Sequence, residues 1–362
     1  MTGSRRREQL PIVSCQWYMI HTVGLYIQRC VLSPNLGSVV CLFIANSFRK
    51  LATGTQSILS SLTNFAFTSG ANSGIGKVTA QDLARRGARV ILACRNLRKA
   101  QDAAEEIKAR TGNSEVVVGH LDLASLQSVR EFAKEIIEGE DRLDILINNA
   151  GIAVVSGEPL TEDGFPALFG VNHFGHFLLT NLLLDLLRKS APSRVVTVSS
   201  NYHRSVWSPL DLTPAVNDGG IPGGNGDGGA LYPRLNAYNH SKLANILFSR
   251  ELARRLALTG VVSVSLHPGV IFTPIWRNVW SRIWILTPLY YILGPLMWLV
   301  LIDEEAGAQT ILHCTLDESI VNLSGQYFSN CVVSEPSTMA QDDELATRLW
   351  AVSCQATGLA EE

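Results

Sequence analysis

The chain has 362 residues, enough for one large α/β domain with appendages or for two domains. Apolar residues make up 46% and charged residues only 17%, against about 25% in typical proteins, and this composition excludes a disordered chain. The net charge of −2 lacks the basic excess that a nucleic-acid groove needs. Seven scattered cysteines without a C-x-x-C pair exclude a disulfide framework and a zinc site, and favour a reducing compartment.

Residues 1–62 form an apolar extension with charge-free runs at 9–28 and 30–48. The first run has the length of a bilayer crossing and has basic and aromatic flanks, although it contains a glutamine and a histidine that are costly in hydrocarbon. With a mean hydropathy of +0.15 for the whole chain, we expect a membrane anchor within residues 10–48. The alternatives are a cleaved targeting segment, a plain apolar surface and disorder.

From about residue 63, short apolar runs alternate with segments whose apolar residues recur at helical spacing. The strand candidates are Thr63–Thr68, Val90–Ala93, Val116–Val118, Leu143–Ile147, Val195–Val198 and Val262–Leu266. This alternation predicts an α/β fold with a doubly wound parallel sheet, the three-layer Rossmann arrangement. We expect a single domain over residues 63–330 and a C-terminal tail at 331–362, with the glycine-rich stretch 217–229 as a surface loop.

A glycine turn stands between the first strand candidate and the first helical segment. It reads Gly70-Ala71-Asn72-Ser73-Gly74-Ile75-Gly76. Glycines let the backbone turn tightly and approach a pyrophosphate, while the N-terminus of the following helix offers N–H donors and the positive end of its dipole. In this strand–turn–helix context the pattern predicts nucleotide binding.

The end of the second strand candidate bears on the choice of nucleotide. A NAD site places a carboxylate about twenty residues after the glycines, against the ribose 2′-hydroxyl. Here the strand ends Ala93-Cys94-Arg95, without a carboxylate. Because Arg95 can pair with a 2′-phosphate, the sequence favours NADP(H) over NAD(H). The alternative is an exposed arginine at the start of a helix.

Tyr238 and Lys242 form a Y-x-x-x-K pair, which places a phenol and an ammonium group on one face of a helix. A tyrosine with the usual pKa of about 10 is a poor base at neutral pH, and a neighbouring cation lowers that pKa. Ser199 and Ser200 end the apolar run RVVTVSS, at the edge of the sheet where open α/β folds bind ligands. These residues are candidates for proton transfer, although the spacing alone is only suggestive.

The order of these motifs resembles that of the short-chain dehydrogenase/reductase family, and within it the subgroup of the retinol dehydrogenases and dehydrogenase/reductase member 13. The resemblance extends from about Gly70 to Trp350. The matching motifs are GANSGIG (70–76), ACR (93–95), LDLASL (121–126), LDILINNAG (143–151), VNHFGHFLLT (171–180), RVVTVSS (194–200), YNHSKLAN (238–245), HPGV (267–270) and SGQYFSN (324–330).

The resemblance implies an NADP(H)-dependent oxidoreductase that interconverts an apolar alcohol, such as retinol or another lipid alcohol, and its aldehyde or ketone. It implies that Tyr238 is the general acid–base, that Lys242 lowers the pKa of the phenol and holds the nicotinamide ribose, and that Ser200 binds the reacting oxygen. Asn172 would hold a water that connects Lys242 to solvent; a cap or a pairing within its helix is the alternative. Further implied cofactor contacts are Asp122, Leu123, Asn149, Ala150, Gly151, Pro268, Gly269 and Thr273.

Two features depart from the family pattern. Ser69 stands where the family has threonine, and the strand candidate before it, TNFAFT, is less apolar than a central strand should be. A homologue that has lost catalysis and acts as a lipid- or protein-binding scaffold is therefore the alternative function.

Residues 271–302 follow the HPG motif and contain a charge-free run at 283–302 that prolines and a glycine interrupt. We expect a hydrophobic substrate lid that dips into the membrane interface, with a true span or ordinary core as alternatives. The resemblance implies the endoplasmic reticulum membrane, with the mitochondrial inner membrane as the alternative, and a homodimer as one assembly. No metal is expected, because His173 and His176 have no third ligand nearby in sequence.

Overall fold

The computed structural model describes residues 65–153, 160–206, 208, 210, 212, 231–269 and 304–360, with the backbone alone for 231–235. The expected anchor within 10–48, the glycine-rich loop 217–229 and the lid 271–302 lie outside these residues. Within the described part of the chain, no helix combines the length and the apolar character needed to cross a membrane.

The described strands form one sheet. They are β1 (Phe65–Ser69), β2 (Arg89–Cys94), β3 (Val116–His120), β4 (Ile145–Asn148), β5 (Ser193–Val198), β6 (Val261–His267), β7 (Tyr327–Ser329) and β8 (Val332–Val333). Their order is β3-β2-β1-β4-β5-β6-β7-β8, and every neighbouring pair is parallel except β7 and β8. Because the order reverses between β1 and β4, the sheet is doubly wound, and the predicted fold class is confirmed.

Strand β1, whose sequence is less apolar than expected for a central strand, lies at the centre of this sheet. β1 pairs with β2 on one side and with β4 on the other, so that Thr68 lies opposite Leu92 and Ile147. All five of its residues are buried. The described strand reads FAFTS, and Thr63 and Asn64 of the strand candidate lie outside the described residues.

Helices cover both faces of the sheet. They are α1 (Gly74–Arg85), α2 (Leu97–Thr111), α3 (Leu126–Gly139), α4 (Ala167–Phe169), α5 (Gly175–Leu182), α6 (Leu184–Lys189), α7 (Leu231–Arg255), α8 (Glu304–Leu316) and α9 (Asp343–Thr357). Successive strand residues point to opposite faces. Ala66 therefore packs in the core that α1, α2 and α8 complete, and Phe67 in the core of α3, α5 and α7, where its ring centroid lies 5.2 Å from that of Phe132.

The last helix packs against the helix that carries Tyr238 and Lys242. Within residues 331–362, expected to be a tail, α9 contributes Trp350, which is 5% exposed. Its ring centroid lies 4.9 Å from that of Phe177 on α5 and 5.9 Å from that of Phe248 on α7. The guanidinium of Arg255 lies 4.4 Å from the same ring. Helix α7 is thus held between the sheet and α9.

The described cysteines differ in their state. Cys94 and Cys314 are buried thiols, and burial raises the pKa of both. Cys331 is disulfide-bonded, which the scattered cysteine spacing did not predict.

Candidate active site

The predicted site residues meet at the carboxyl edge of the sheet, because parallel strands all end at the same edge. The glycine turn follows β1, Arg95 follows β2, Asp122 and Leu123 follow β3, Asn149–Gly151 follow β4, Ser199 and Ser200 follow β5, and Pro268 and Gly269 follow β6. Asn172 lies in a π-helical turn between α4 and α5, and Tyr238 and Lys242 lie in α7. Thr273 lies outside the described residues.

Two glycines of the turn, Gly70 and Gly76, leave no room for a side chain. Gly70 has a φ of +66°, and a Cβ there would lie 2.9 Å from the Cα of Ala150. A Cβ on Gly76 would lie 2.5 Å from the Asn149 amide nitrogen and 2.8 Å from the carbonyl oxygen of Gly70. Ser73 makes no side-chain capping bond at the start of α1, and the first turn of α1 contains no acid. The turn and the helix N-terminus therefore fit the pyrophosphate of a dinucleotide.

Ser69 holds this turn against the loop after β4. Its hydroxyl oxygen accepts the backbone N–H groups of Asn149 at 3.0 Å and Ala150 at 2.9 Å. The Asn149 amide donates to the Ser69 carbonyl at 2.8 Å. The Nδ1–H of His176 donates to the Asn172 carbonyl at 3.2 Å, which leaves Nε2 to accept the Ser69 hydroxyl at 2.9 Å. The serine thus supplies the hydroxyl that the family's threonine would provide.

Both histidines of the VNHFGH motif are buried partners of polar side chains. The Nε2 atom of His173 lies 2.9 Å from the Ser353 hydroxyl of α9. Burial lowers the pKa of His173 to about 3 and the pKa of His176 to about 4. Both rings are therefore neutral at physiological pH, as the hydrogen bonds of His176 require.

The candidate proton-transfer residues lie together. The Lys242 ammonium is 5.8 Å from the centre of the Tyr238 ring and donates to the Val198 carbonyl at 3.2 Å. The Ser199 hydroxyl donates to the Lys242 carbonyl at 2.6 Å, so it has a structural bond of its own. The Ser200 hydroxyl lies close enough to the Tyr238 phenol to lower its pKa.

Burial sets the protonation of this group. It raises the pKa of Tyr238 above its ordinary value, and the neighbouring Ser200 hydroxyl opposes this shift only in part. Burial also lowers the pKa of Lys242 to about 8. The sequence led us to expect a lowered pKa for Tyr238 from its neighbouring cation. In the structure desolvation of the buried phenol is the largest effect, and it raises the pKa.

Asn172 joins the π-helical turn to the loop after β4. Its amide oxygen accepts the N–H of Ile152 at 2.8 Å, and its amide nitrogen donates to the Ile152 carbonyl and to the Ser241 hydroxyl, each at 2.9 Å. A Cβ on Gly151 would lie 3.3 Å from the Lys242 ammonium and 3.4 Å from the Asn172 amide oxygen. Asn172 therefore adjoins Lys242 across Gly151, and its role in holding a water stays a prediction.

Arg95 extends from the end of β2 into solvent. Its side chain is 71% exposed, and its Nε lies 3.9 Å from a carboxylate oxygen of Asp122. The other oxygen of Asp122 accepts the N–H of Ala124 at 3.0 Å. Leu123 is buried. The guanidinium is thus only weakly paired and can receive a further anion.

The turn after β6 is tied to the neighbouring strand. The Nδ1 atom of His267 accepts the N–H of Gly269 at 3.1 Å, so its Nε2–H donates to the Ser329 hydroxyl of β7 at 2.8 Å. This bond fixes Pro268 and Gly269 at the carboxyl edge. Strand β7, which supplies Ser329, was not among the strand candidates.

A glycine turn at a helix N-terminus, next to a serine, a tyrosine and a lysine at the carboxyl edge of a parallel sheet, is the arrangement of a dinucleotide-dependent oxidoreductase. The sequence profile described as short chain dehydrogenase matches residues 64–208. Retinol dehydrogenase 12 from Mus musculus is 46% identical over 80% of this chain and 85% of its own length. Dehydrogenase/reductase SDR family member 13 from Bos taurus is 49% identical over 81% of this chain and 73% of its own. The chain belongs to the short-chain dehydrogenase/reductase family and is an oxidoreductase.

Solved structures share the fold. An uncharacterized protein from Mycobacterium paratuberculosis superposes with a TM-score of 0.61 at 36% identity, over 83% of this chain and 96% of that one. A variant of actinorhodin polyketide ketoreductase, solved with NADPH, superposes with a TM-score of 0.57 at 20% identity, over 75% of this chain and 97% of that one.

Proposed function

We propose that the protein is an NADP(H)-dependent oxidoreductase that interconverts an apolar alcohol and its aldehyde or ketone, with Tyr238 as the general acid–base. The observation that carries this proposal is the meeting of Ser200, Tyr238 and Lys242 next to the glycine turn. The identity of 46% to a retinol dehydrogenase supports a long apolar substrate such as retinal.

The chain's own residues bind the reacting oxygen and move its proton. In reduction, the Ser200 hydroxyl donates a hydrogen bond to the substrate oxygen, and the Tyr238 phenol gives that oxygen its proton. In oxidation, the Tyr238 phenolate takes the proton from the alcohol. Lys242 supplies positive charge next to the phenol, and its bond to the Val198 carbonyl fixes its position. The bound cofactor supplies or accepts the hydride.

The residues that would hold this cofactor line the same edge. The N-terminus of α1 and the turn at 70–76 would bind the pyrophosphate, and Arg95 the 2′-phosphate of NADP(H). Asn149, Ala150 and Gly151 would line the cleft, because their loop is bonded to Ser69 and to Asn172 across the turn.

The first test uses the full-length chain with NADPH or NADH and all-trans-retinal, followed by the loss of reduced-cofactor absorbance. We expect oxidation of NADPH with formation of retinol, at a higher kcat/KM than with NADH. Binding of neither cofactor by a folded protein would contradict the proposed activity and would favour the scaffold. The scaffold is not favoured by the geometry, since β1 is paired on both sides and Ser69 keeps its hydroxyl bonds.

Replacing Arg95 by glutamine tests the cofactor preference. We expect the Kd for NADPH to rise about tenfold and the Kd for NADH to stay unchanged, since a charged hydrogen bond to an exposed phosphate is worth about 1.5 kcal/mol. Fluorescence titration of each reduced cofactor measures both constants. The matched control is Arg110→Gln at the exposed end of α2, which should change neither. An equal rise of the Kd for NADPH and for NADH would show that Arg95 does not bind the 2′-phosphate.

The raised pKa of Tyr238 predicts different pH profiles in the two directions. Reduction needs the protonated phenol, which persists below the raised pKa, so its kcat/KM should stay level through neutral pH. Oxidation needs the phenolate, so its kcat/KM should rise as the pH increases. Initial rates from mildly acidic to alkaline pH measure both. Two causes can make the reduction rate fall between neutrality and pH 8. Loss of the Tyr238 proton would contradict this assignment, whereas loss of the Lys242 proton, with a pKa of about 8, would not. The Lys242→Arg variant distinguishes these cases, because arginine keeps its charge.

We also propose a catalytic domain at 63–330 that is attached to a membrane, with the endoplasmic reticulum favoured over the mitochondrial inner membrane. The charge-free runs at 9–28 and 30–48 and the apolar lid support the attachment. We expect the expressed chain to stay in the membrane pellet after an alkaline carbonate wash. A chain without residues 1–62 should be released if the anchor lies there, and release of the full-length chain would contradict the anchor.

A further inference from the structure

The turn after Ser200 brings a second tyrosine to the candidate site. Residues Asn201–Arg204 form a 3₁₀ turn, and the Ser200 hydroxyl accepts the N–H of Tyr202 at 3.3 Å. His203 points inward and is 1% exposed. Its Nδ1–H donates to the Ser200 carbonyl at 2.7 Å, and its Nε2 accepts the N–H of Ser337 at 3.0 Å. The turn is therefore fixed at both of its sides.

Tyr202, one residue before His203, lies on the open side of this turn. A 3₁₀ turn rotates the chain by a third of a circle per residue, so neighbouring side chains diverge. The Tyr202 side chain lies edge-to-face against Tyr238, with ring centroids 6.1 Å apart and planes at 72°. Tyr202 remains 38% exposed, and among the described residues it is the only aromatic one in the group of exposed large apolar side chains.

This geometry places an exposed aromatic ring next to the residue that we propose as the general acid–base. A substrate whose oxygen contacts Ser200 and Tyr238 must place its first carbons close to the groups that adjoin the Tyr238 ring, and Tyr202 is such a group. A ring face or edge binds a flat π-system better than a flexible saturated chain, because it adds a quadrupole interaction to the burial of apolar surface.

We propose that Tyr202 is a specificity-determining residue, whose ring selects carbonyl compounds conjugated next to the carbonyl over saturated ones of equal length. This inference rests on the proposed function and names the part of the substrate that the site recognises. The expected preference due to the ring is about three- to tenfold in kcat/KM, the range of a single aromatic contact.

The test compares 2,4-decadienal with decanal, which have the same number of carbons and differ in the two conjugated double bonds. The full-length protein and the variants Tyr202→Phe, Tyr202→Leu and Tyr202→Ala are assayed with NADPH on both aldehydes. Leucine keeps apolar bulk without a ring, and phenylalanine keeps the ring without the hydroxyl. Fluorescence titration with NADPH and circular dichroism check that each variant is folded and binds the cofactor as the original chain does.

We expect Tyr202→Phe to keep the preference for decadienal, and Tyr202→Leu and Tyr202→Ala to lose it through a raised KM for decadienal alone. An unchanged preference in the leucine and alanine variants, or an equal loss on both aldehydes, would overturn the role of Tyr202 and leave the proposed function standing. If the original chain binds NADPH but reduces neither aldehyde nor retinal, the proposed function itself fails and this inference fails with it.

Discussion

The Tyr238→Phe variant is expected to lose carbonyl reduction almost completely while it keeps its affinity for NADPH. General acid–base groups contribute about 100- to 10,000-fold to rates, and phenylalanine removes the only proton that the phenol can give to the substrate oxygen. The ring itself stays, so its contacts with Tyr202 and Lys242 are preserved. The loss should therefore lie in kcat, measured under saturating NADPH with retinal as the substrate.

Tyr327→Phe is the matched control for this change. Tyr327 is 3% exposed, and its hydroxyl has no hydrogen-bond partner among the described residues. Removing that hydroxyl should leave kcat and the melting temperature close to their original values. If Tyr238→Phe keeps more than a tenth of the original kcat, another group donates the proton and the assignment of Tyr238 is wrong.

The Gly76→Ala variant is expected to bind neither cofactor tightly and to be less stable. Inside a helix, alanine is intrinsically better than glycine by about 1 kcal/mol. At Gly76 the new methyl group would lie 2.8 Å from the backbone oxygen of Gly70, which cannot move without opening the turn. Such overpacking costs about 1–3 kcal/mol and outweighs the gain in helix propensity. Thermal unfolding and NADPH titration measure the two effects.

Gly139→Ala provides the comparison, since Gly139 ends α3 and a Cβ there would meet nothing within 4 Å. It should leave cofactor affinity unchanged and keep or slightly raise the melting temperature. Equal behaviour of the two variants would mean that the turn at 70–76 tolerates displacement, and the cradle for the pyrophosphate would lose its structural basis.

The sequence was sufficient for the layers of the fold, because a parallel strand covered by helices on both faces is an uninterrupted apolar run. The strands RVILAC and SRVVTV show this pattern, and both were predicted with only their ends displaced. The strands β7 and β8 have three and two residues, too few to form a recognisable run. Pairing with β6 and the bond from His267 define β7 instead.

The sequence led us to expect that the candidate site residues lie together, but it did not predict their electrostatics. Spacing places Lys242 near Tyr238, but it does not reveal how deeply the phenol is buried, and burial decides the direction of its pKa shift. The role of His176 was missed for a different reason. Its partner Ser69 lies 107 positions earlier in the chain, and nothing in the motif distinguishes a histidine bonded to a distant serine from one that only fills the core.

The contact of Trp350 with Phe177 and Phe248 can form only after the last helix has been synthesised. The ribosome synthesises α7 before α9. The rings of Phe177 and Phe248 therefore lack their contact with Trp350 while the last segment is translated. A nascent chain in that interval presents an aromatic surface to chaperones and proteases. A premature stop codon before Asp343 would make the interval permanent, and cellular quality control would remove the protein even though every proposed catalytic residue had been translated.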